Sequence, residues 1–167
     1  RKYLNKNKSD YLFVTAPENV AWLLNIRGHD NPNSPIPNCH LILDNKNSFY
    51  LITYKSKVSK LIKEKKLKSY QIIEPENFNK FIINLKGKKI IIDKNTCSIF
   101  FENMIKKKFK ILKKDDPIYL LKSVKNKTEI KNMLKSHVFD GVALTKFIYW
   151  IKNINKKKSL SLRHEIN

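Results

Sequence analysis

Lys89-Ile90-Ile91-Ile92-Asp93 is the stretch on which the fold turns. Three β-branched residues in a row, followed by the turn-like Lys94-Asn95, read as a strand buried on both faces. Such a strand requires helices above and below it, so helical and extended patterns should alternate around it. They do. Downstream, the spacing predicts a helix over 96–108 and a strand over 109–112. Upstream, Pro75 opens a helix through Phe78, Phe81, Ile82 and Leu85 that Gly87 ends, and 70–73 is a short strand. Before that, Val58, Leu61, Ile62 and Leu67 recur at helical spacing.

Nearer the N-terminus, two β-prone runs, 39–43 and 49–54, flank Asp44-Asn45-Lys46-Asn47-Ser48, a hairpin signal. Tyr11-Leu12-Phe13-Val14-Thr15 is another buried strand. Pro17 and Glu18 after it suit the first turn of a helix through Leu24. Strand, helix, hairpin, then helices alternating with strands predicts an α/β fold: one mixed, largely parallel sheet flanked by helices.

After Asp115-Asp116-Pro117 the pattern changes. Asn126-Lys127-Thr128-Glu129 is a capping-box variant. Ile130, Met133, Leu134, His137, Gly141, Leu144, Ile148 and Ile151 fall on one stripe. The spacing predicts a single helix over 127–155, on the order of 40 Å long. A helix of that length opens a second domain. The expected organisation is therefore 1–116 as the α/β domain, 117–125 as a connection, and 126–167 as the first helical part of a truncated further domain. The chain of 167 residues lacks an initial Met and stops after His164-Glu165-Ile166-Asn167, so both ends read as cuts in something longer.

The net charge of +21 raises a nucleic-acid reading. Its make-up argues the other way. Lysine supplies 32 of the 35 basic residues, with Arg1, Arg27 and Arg163 the remainder. Base recognition leans on the bidentate fork of Arg. The lysines are scattered through every predicted element, and Asn and Ile are abundant as well, which reads as a compositional bias on solvated faces. Neither a nucleic acid nor a membrane is expected as partner: no apolar run approaches the length of a membrane span. Cys39 and Cys97 form no Cys-x-x-Cys pattern, which sets aside a disulfide scaffold and a zinc knuckle and points to a cytoplasmic protein.

Self-contained chemistry is not visible. His29, His40, His137 and His164 pair with no other His or Cys at ligand spacing, and His137 reads as a packed residue of its helix stripe. His164-Glu165 are two residues of a His-Glu-x-x-His motif whose second histidine would lie beyond the sequence. Cys39 and His40 are neighbours on a strand and point to opposite faces, so they cannot act as a nucleophile–base pair. Asp44 and Asp93 end strands, as nuclease carboxylates do, but both read as turn residues. Gly28, Gly87 and Gly141, the only glycines, cannot make a phosphate cradle. The specific-looking segment is Arg27-Gly28-His29-Asp30 with Pro32, Pro35 and Pro37 behind it. Fixed φ at each proline stiffens this loop, and an Arg27–Asp30 pair is expected to hold it. A structural corner and the wall of a binding cleft are both open readings.

The residues 19–30, Asn-Val-Ala-Trp-Leu-Leu-Asn-Ile-Arg-Gly-His-Asp, with Asn33-Ser34-Pro35-Ile36-Pro37-Asn38, resemble the second domain of three-domain Xaa-Pro aminopeptidases, most closely the bacterial branch. A second stretch agrees: 121–126 with Glu129, Met133, His137, Asp140-Gly141-Val142-Ala143-Leu144 and Trp150 resembles the start of that family's pita-bread catalytic domain. The resemblance implies a creatinase/prolidase N-terminal fold, ribonuclease H-like without its carboxylates. It implies a parent metallopeptidase that removes the residue preceding proline, using two divalent metals, manganese by family habit, held by ligands beyond Asn167. No catalytic or metal residue carries over onto this chain. The expected role is non-catalytic: positioning the catalytic domain of the same polypeptide, shaping the cleft for a peptide with proline second, and meeting a second copy in a homodimer. Arg27 and Asp30 are the substrate-binding candidates on the cleft-facing loop. The alternatives are a basic nucleic-acid-binding module and a domain of a prolidase or creatinase relative.

Overall fold

In the computed structural model the backbone is described for residues 1–164 and side chains for residues 1–154. The chain divides into two compact units, Arg1–Ser123 and Val124–Asn167. The first contains α1 (Lys2–Lys6), β1 (Tyr11–Val14), α2 (Pro17–Leu24), β2 (His40–Asp44), β3 (Phe49–Ile52), α3 (Lys55–Lys63), β4 (Ile72–Ile73), α4 (Phe78–Asn84), β5 (Lys89–Ile92), α5 (Ile99–Lys106), β6 (Lys110–Lys113) and α6 (Pro117–Ser123).

The strands form one sheet in the order β4-β3-β2-β1-β5-β6. β3–β4, β1–β5 and β5–β6 are parallel, while β2 runs antiparallel to both its neighbours. The sheet is mixed and largely parallel, as the alternating pattern requires. The β2–β3 hairpin closes on Asp44, whose Oδ1 accepts from the backbone N–H of Lys46 (2.8 Å) and Ser48 (2.7 Å). Asn47 takes the left-handed conformation there, with φ of 66°, which Asn tolerates better than most residues.

Period-two alternation splits the apolar runs between two cores. Leu12, Val14, Leu41, Leu51 and Ile91 face Val20, Val58 and Ile118 on one side. Phe13, Ile42, Ile52, Ile90 and Ile92 face Phe78, Ile82 and Ile105 on the other. Ile90, Ile91 and Ile92 are all 0% exposed, which is why that strand reads as continuous rather than alternating. Each such side chain contributes roughly 1.5–3 kcal/mol by leaving water.

A buried polar clasp ties the end of β5 to α2 and α6. Asp93 Oδ2 accepts from the Asp116 N–H at 3.1 Å, and its Oδ1 from the Asn95 N–H at 2.8 Å. Asp116 accepts from the Ile118 N–H at 2.9 Å and from Asn19 Nδ2 at 2.7 Å. Asn19 Oδ1 in turn accepts from Lys122 Nζ at 2.6 Å. Asp44 and Asp93 thus organise backbone turns, in keeping with their reading as turn residues.

Three elements differ from expectation. Residues 117–123, expected inside a connection, are α6 of the first unit. Asp116 caps it and Pro117 occupies its first position, but its short apolar run carries no periodicity of its own. Lys2–Lys6 is a helix too short to show a pattern, anchored by the buried Leu4. The long helix of the second unit, α7 (Lys127–His164), extends past the expected residue 155. Its capping box forms: Asn126 Oδ1 accepts from the Glu129 N–H at 2.9 Å, and Glu129 Oε2 from the Asn126 N–H at 2.8 Å. His137, expected to be packed, is exposed along with the stripe it belongs to. Helical periodicity reports a face able to be covered, not whether anything covers it. Glu165, and the side chain of His164, lie outside the described residues.

Candidate functional site: a braced loop at the strand ends

The loop between α2 and β2 lies beside the C-terminal ends of β1 and β3, where open α/β sheets place their crevices. Asn25 ends α2 in the left-handed region, with φ of 50°, and the Ile26 N–H bonds back to Ala21 O at 3.0 Å. The loop then doubles on itself. The Gly28 N–H donates to Pro35 O at 3.0 Å, and the Ser34 N–H to Asn31 O at 3.3 Å. A Cβ at Gly28 would stand 2.6 Å from Pro37 Cβ and 2.7 Å from its Cα. Glycine is therefore required by the close approach of two backbone segments.

Asp30 is the brace, but its partner is not the expected one. Its Oδ1 meets Lys57 Nζ at 2.6 Å and its Oδ2 accepts from the Asn38 N–H at 2.7 Å. Arg27 instead donates from Nη1 to Ile26 O at 2.9 Å and is exposed. Lys57 sits in the first turn of α3, close enough to reach across the loop, whereas Arg27 bonds only its own neighbour's carbonyl and is exposed. The bond to Lys57, and then the one from Asn38, hold the Asp30 carboxyl below its ordinary range. Both sequence candidates thus lie on this loop, one tying it to α3 and the other exposed.

Two cavities meet at Cys39, Thr53 and Lys57. One, of about 280 Å³, is walled by Arg27, Gly28, Asp30 and Pro37. The other, of about 400 Å³, is walled by His40, Tyr54, Pro75 and Phe101. Cys39 is buried between them, and desolvation pushes its thiol up to about 12. A thiol so raised is not a nucleophile at neutral pH. His40 packs edge-on against Phe101 with ring centroids 4.8 Å apart. Desolvation lowers its pKa, against the raising effect of its bond to Thr15 O. Nδ1 lies 3.1 Å from Thr15 O. A carbonyl only accepts, so Nδ1 carries the proton, and the neutral ring leaves Nε2 as an acceptor. Tyr54 closes the far side, donating to Glu76 Oε1 at 2.8 Å.

Sequence reasoning places Arg27 and Asp30 here and misses Lys57, His40 and Tyr54. Lys57 is one lysine among many, and nothing in a linear pattern marks the one that faces Asp30. His40 stands out in the sequence only as the neighbour of Cys39. The two do diverge as strand geometry demands: Cys39 joins one core, and His40 packs edge-on against Phe13 and Phe101 of the other.

Among the described residues, no group of three His, Cys, Asp or Glu side chains is placed to hold a metal ion. The donor set does not fit one: Asp93 and Asp116 have their oxygens occupied by N–H groups, and Asp30 is neutralised by Lys57. No helix among these residues is long and apolar enough to cross a membrane.

Sheet order, twin cores and a braced loop at the strand ends define an α/β domain. The chain belongs to the Creatinase/Prolidase N-terminal domain family, whose model matches residues 1–129. It is 30% identical over 166 residues to Xaa-Pro aminopeptidase 1 of Dictyostelium discoideum, covering 98% of this chain and 26% of that protein. To Xaa-Pro aminopeptidase ApepP of Drosophila melanogaster it is also 30% identical over 166 residues, covering 93% and 26%. The chain thus spans about a quarter of the length of the curated relatives it matches. Both are eukaryotic, whereas the wording of Ser34–Asn38 resembles the bacterial branch. Among solved structures, the prolidase from Pyrococcus furiosus superposes with a TM-score of 0.54 at 23% identity, over 78% of this chain and 36% of that one. An Xaa-Pro dipeptidase from Bacillus anthracis gives 0.56 at 16% identity, over 78% and 36%. At such identities these structures speak for the fold.

Proposed function

We propose that this chain is the non-catalytic domain of a cytoplasmic Xaa-Pro aminopeptidase, a peptidase that removes the residue preceding proline with two divalent metals, manganese by preference, held elsewhere in the polypeptide. In this reading 1–116 together with α6 is the supporting domain, the remainder of the 117–125 connection leads out of it, and 126–167 begins the catalytic domain. The domain's work is mechanical. It presents a rigid loop at the rim of the cleft, where Arg27 offers a cation to the peptide substrate and Asp30 holds the loop in place. A homodimer partner meets the same rim.

The observation that carries this reading is the double anchoring of Asp30, to Lys57 at 2.6 Å and to the Asn38 N–H at 2.7 Å. A loop pinned at mid-length by a charged pair and closed by Gly28 against Pro37 keeps one shape, which a cleft wall needs and a passive connection does not. The curated relatives add weight by being named Xaa-Pro aminopeptidases along nearly the whole of this chain.

The test has two arms. This chain, purified and incubated with manganese and an Xaa-Pro peptide, is expected to show no turnover; turnover would overturn the supporting role. In the longer polypeptide, Arg27→Ala is expected to raise KM with little change in kcat, the mark of lost uniform binding. An unchanged KM would remove Arg27 from the substrate rim.

A further inference from the structure

Sequence alone shows lysines everywhere. The fold shows that the carboxylates are not distributed in the same way. The N-terminal ends of β1, β5 and β6 lie side by side: the Asp10 N–H donates to Lys89 O at 3.1 Å, and the Lys110 N–H to Lys88 O at 2.9 Å. This end gathers Lys86, Lys88, Lys89, Lys107, Lys108 and Lys110 from the α4–β5 and α5–β6 joints and the first residues of both strands. Five of the six are exposed and Lys89 is half-buried. None makes an ion pair among the described residues.

The carboxylates on this side are Asp10, Asp44 at the end of β2, and Glu64 at the end of α3, the last paired with Lys66 at 2.8 Å. The two aspartates already bind backbone N–H groups, Asp10 those of Lys88 (2.8 Å) and Lys89 (3.0 Å), Asp44 those of Lys46 and Ser48. At the opposite end of the strands stand Asp30, Glu76, Asp93 and Asp116, each hydrogen-bonded there. Helix dipoles favour part of this sorting, since parallel α/β units point helix C-termini toward the strand starts. That accounts for cations in the last turn of α5. It does not account for Lys86, Lys88, Lys89 and Lys110, which stand in a turn and on strands.

We propose that this end of the sheet is a second binding surface, which takes the phosphate backbone of a nucleic acid by charge alone. The scarcity of arginine, and the burial of Tyr11 and Phe109, rule out base reading and stacking here, but phosphate neutralisation needs only point charges. The lysines cluster at the starts of the adjacent strands β5 and β6, about 4.8 Å apart, and in the joints that lead into them. A narrow band of charge along two strand starts suits a linear polyanion better than a plane of lipid headgroups. The surface lies at the opposite end of the strands from the braced loop and does not depend on the peptidase reading.

The test is fluorescence anisotropy of a labelled oligouridylate titrated with this chain at several salt concentrations. Saturable binding is expected at low salt, weakening steeply as salt rises. A variant carrying Lys86→Glu, Lys88→Glu and Lys110→Glu should bind at least tenfold more weakly. Its log–log salt slope should be smaller by roughly two, at about 0.7 for each phosphate no longer neutralised. The control carries the same charge change at the other end: Lys55→Glu, Lys94→Glu and Lys114→Glu. Lys→Gln versions of both, checked by circular dichroism, keep the comparison usable if a Glu variant misfolds. Equal weakening in both sets, or no binding by the unaltered chain at low salt, overturns the proposal. So does preferential capture by vesicles of anionic phospholipid in direct competition with the RNA.

Discussion

The sheet unit and the long helix carry the same kind of sequence and reach opposite ends. In the first unit Phe13, Ile82 and Ile91 are at most 1% exposed. On the α7 stripe, Leu134 and Leu144 are 65% and 57% exposed. Both segments have apolar residues at the period of their secondary structure. The difference is a second layer: each face of the sheet has helices packed on it, while the described residues of the α7 stripe are exposed. Periodicity prescribes a face, and burial requires a partner for it. The helix stands on local terms such as its capping box, the Thr145 Oγ1 bond to Gly141 O at 2.7 Å and its intrahelical ladder.

The sharpest way to break this comparison is a pair of matched truncations. Phe13→Ala should lower the unfolding free energy of the sheet unit by about 3–5 kcal/mol, because it empties a site packed against Phe78 and Phe101. Leu134→Ala, on the α7 stripe, should change it by less than about 0.5 kcal/mol, as an exposed substitution. Urea denaturation followed by circular dichroism measures both. Similar losses for the two would mean that α7 is buried in solution.

A smaller effect sharpens the account of the braced loop. Gly28→Ala pushes a methyl into the Pro37 backbone, so the loop must shift. A cost of about 1–3 kcal/mol is expected, typical of overpacking, read as a lower midpoint in the same denaturation experiment. Wild-type stability in the variant would mean that the loop is not held where the 2.6 Å approach places it.

The smallest effects are in pH. His40 has its folded pKa lowered from 6.5 by burial, so the unfolded state takes up its proton first. Its contribution to stability is complete above about 6.5 and is lost as pH falls through that value toward the lowered one. Asp30 is also lowered, from 3.8. Its contribution is present above that value and lost as pH falls below it. Thermal melts across pH 7 to 3 should show both declines. His40→Phe should flatten the first and Lys57→Met the second. A slope that survives its substitution would assign that window to other groups.

How much of this is legible in the sequence depends on where each signal resides. Strand and helix identity is readable at Ile90-Ile91-Ile92, Pro17, Asn126 and Glu129, because burial on both faces, a fixed φ and a cap are properties of a few adjacent residues. The Asp116–Pro117 start of α6 is present too, but a seven-residue helix shows no period to support it. The loop is marked by its prolines and glycine. Its brace is not, since Asp30 and Lys57 are 27 residues apart and any of many lysines fits a linear reading equally well.

By itself the sequence determined the class of elements, their order, the mixed sheet and the stiffness of the loop at 27–37, because periodicity and backbone restriction act over a few residues. Only the tertiary structure decided which lysine meets Asp30, that His40 is a neutral ring among phenylalanines, and that carboxylates gather at one end of the strands. Those are facts of distance through space, and desolvation and charge respond to neighbours however far apart they stand along the chain.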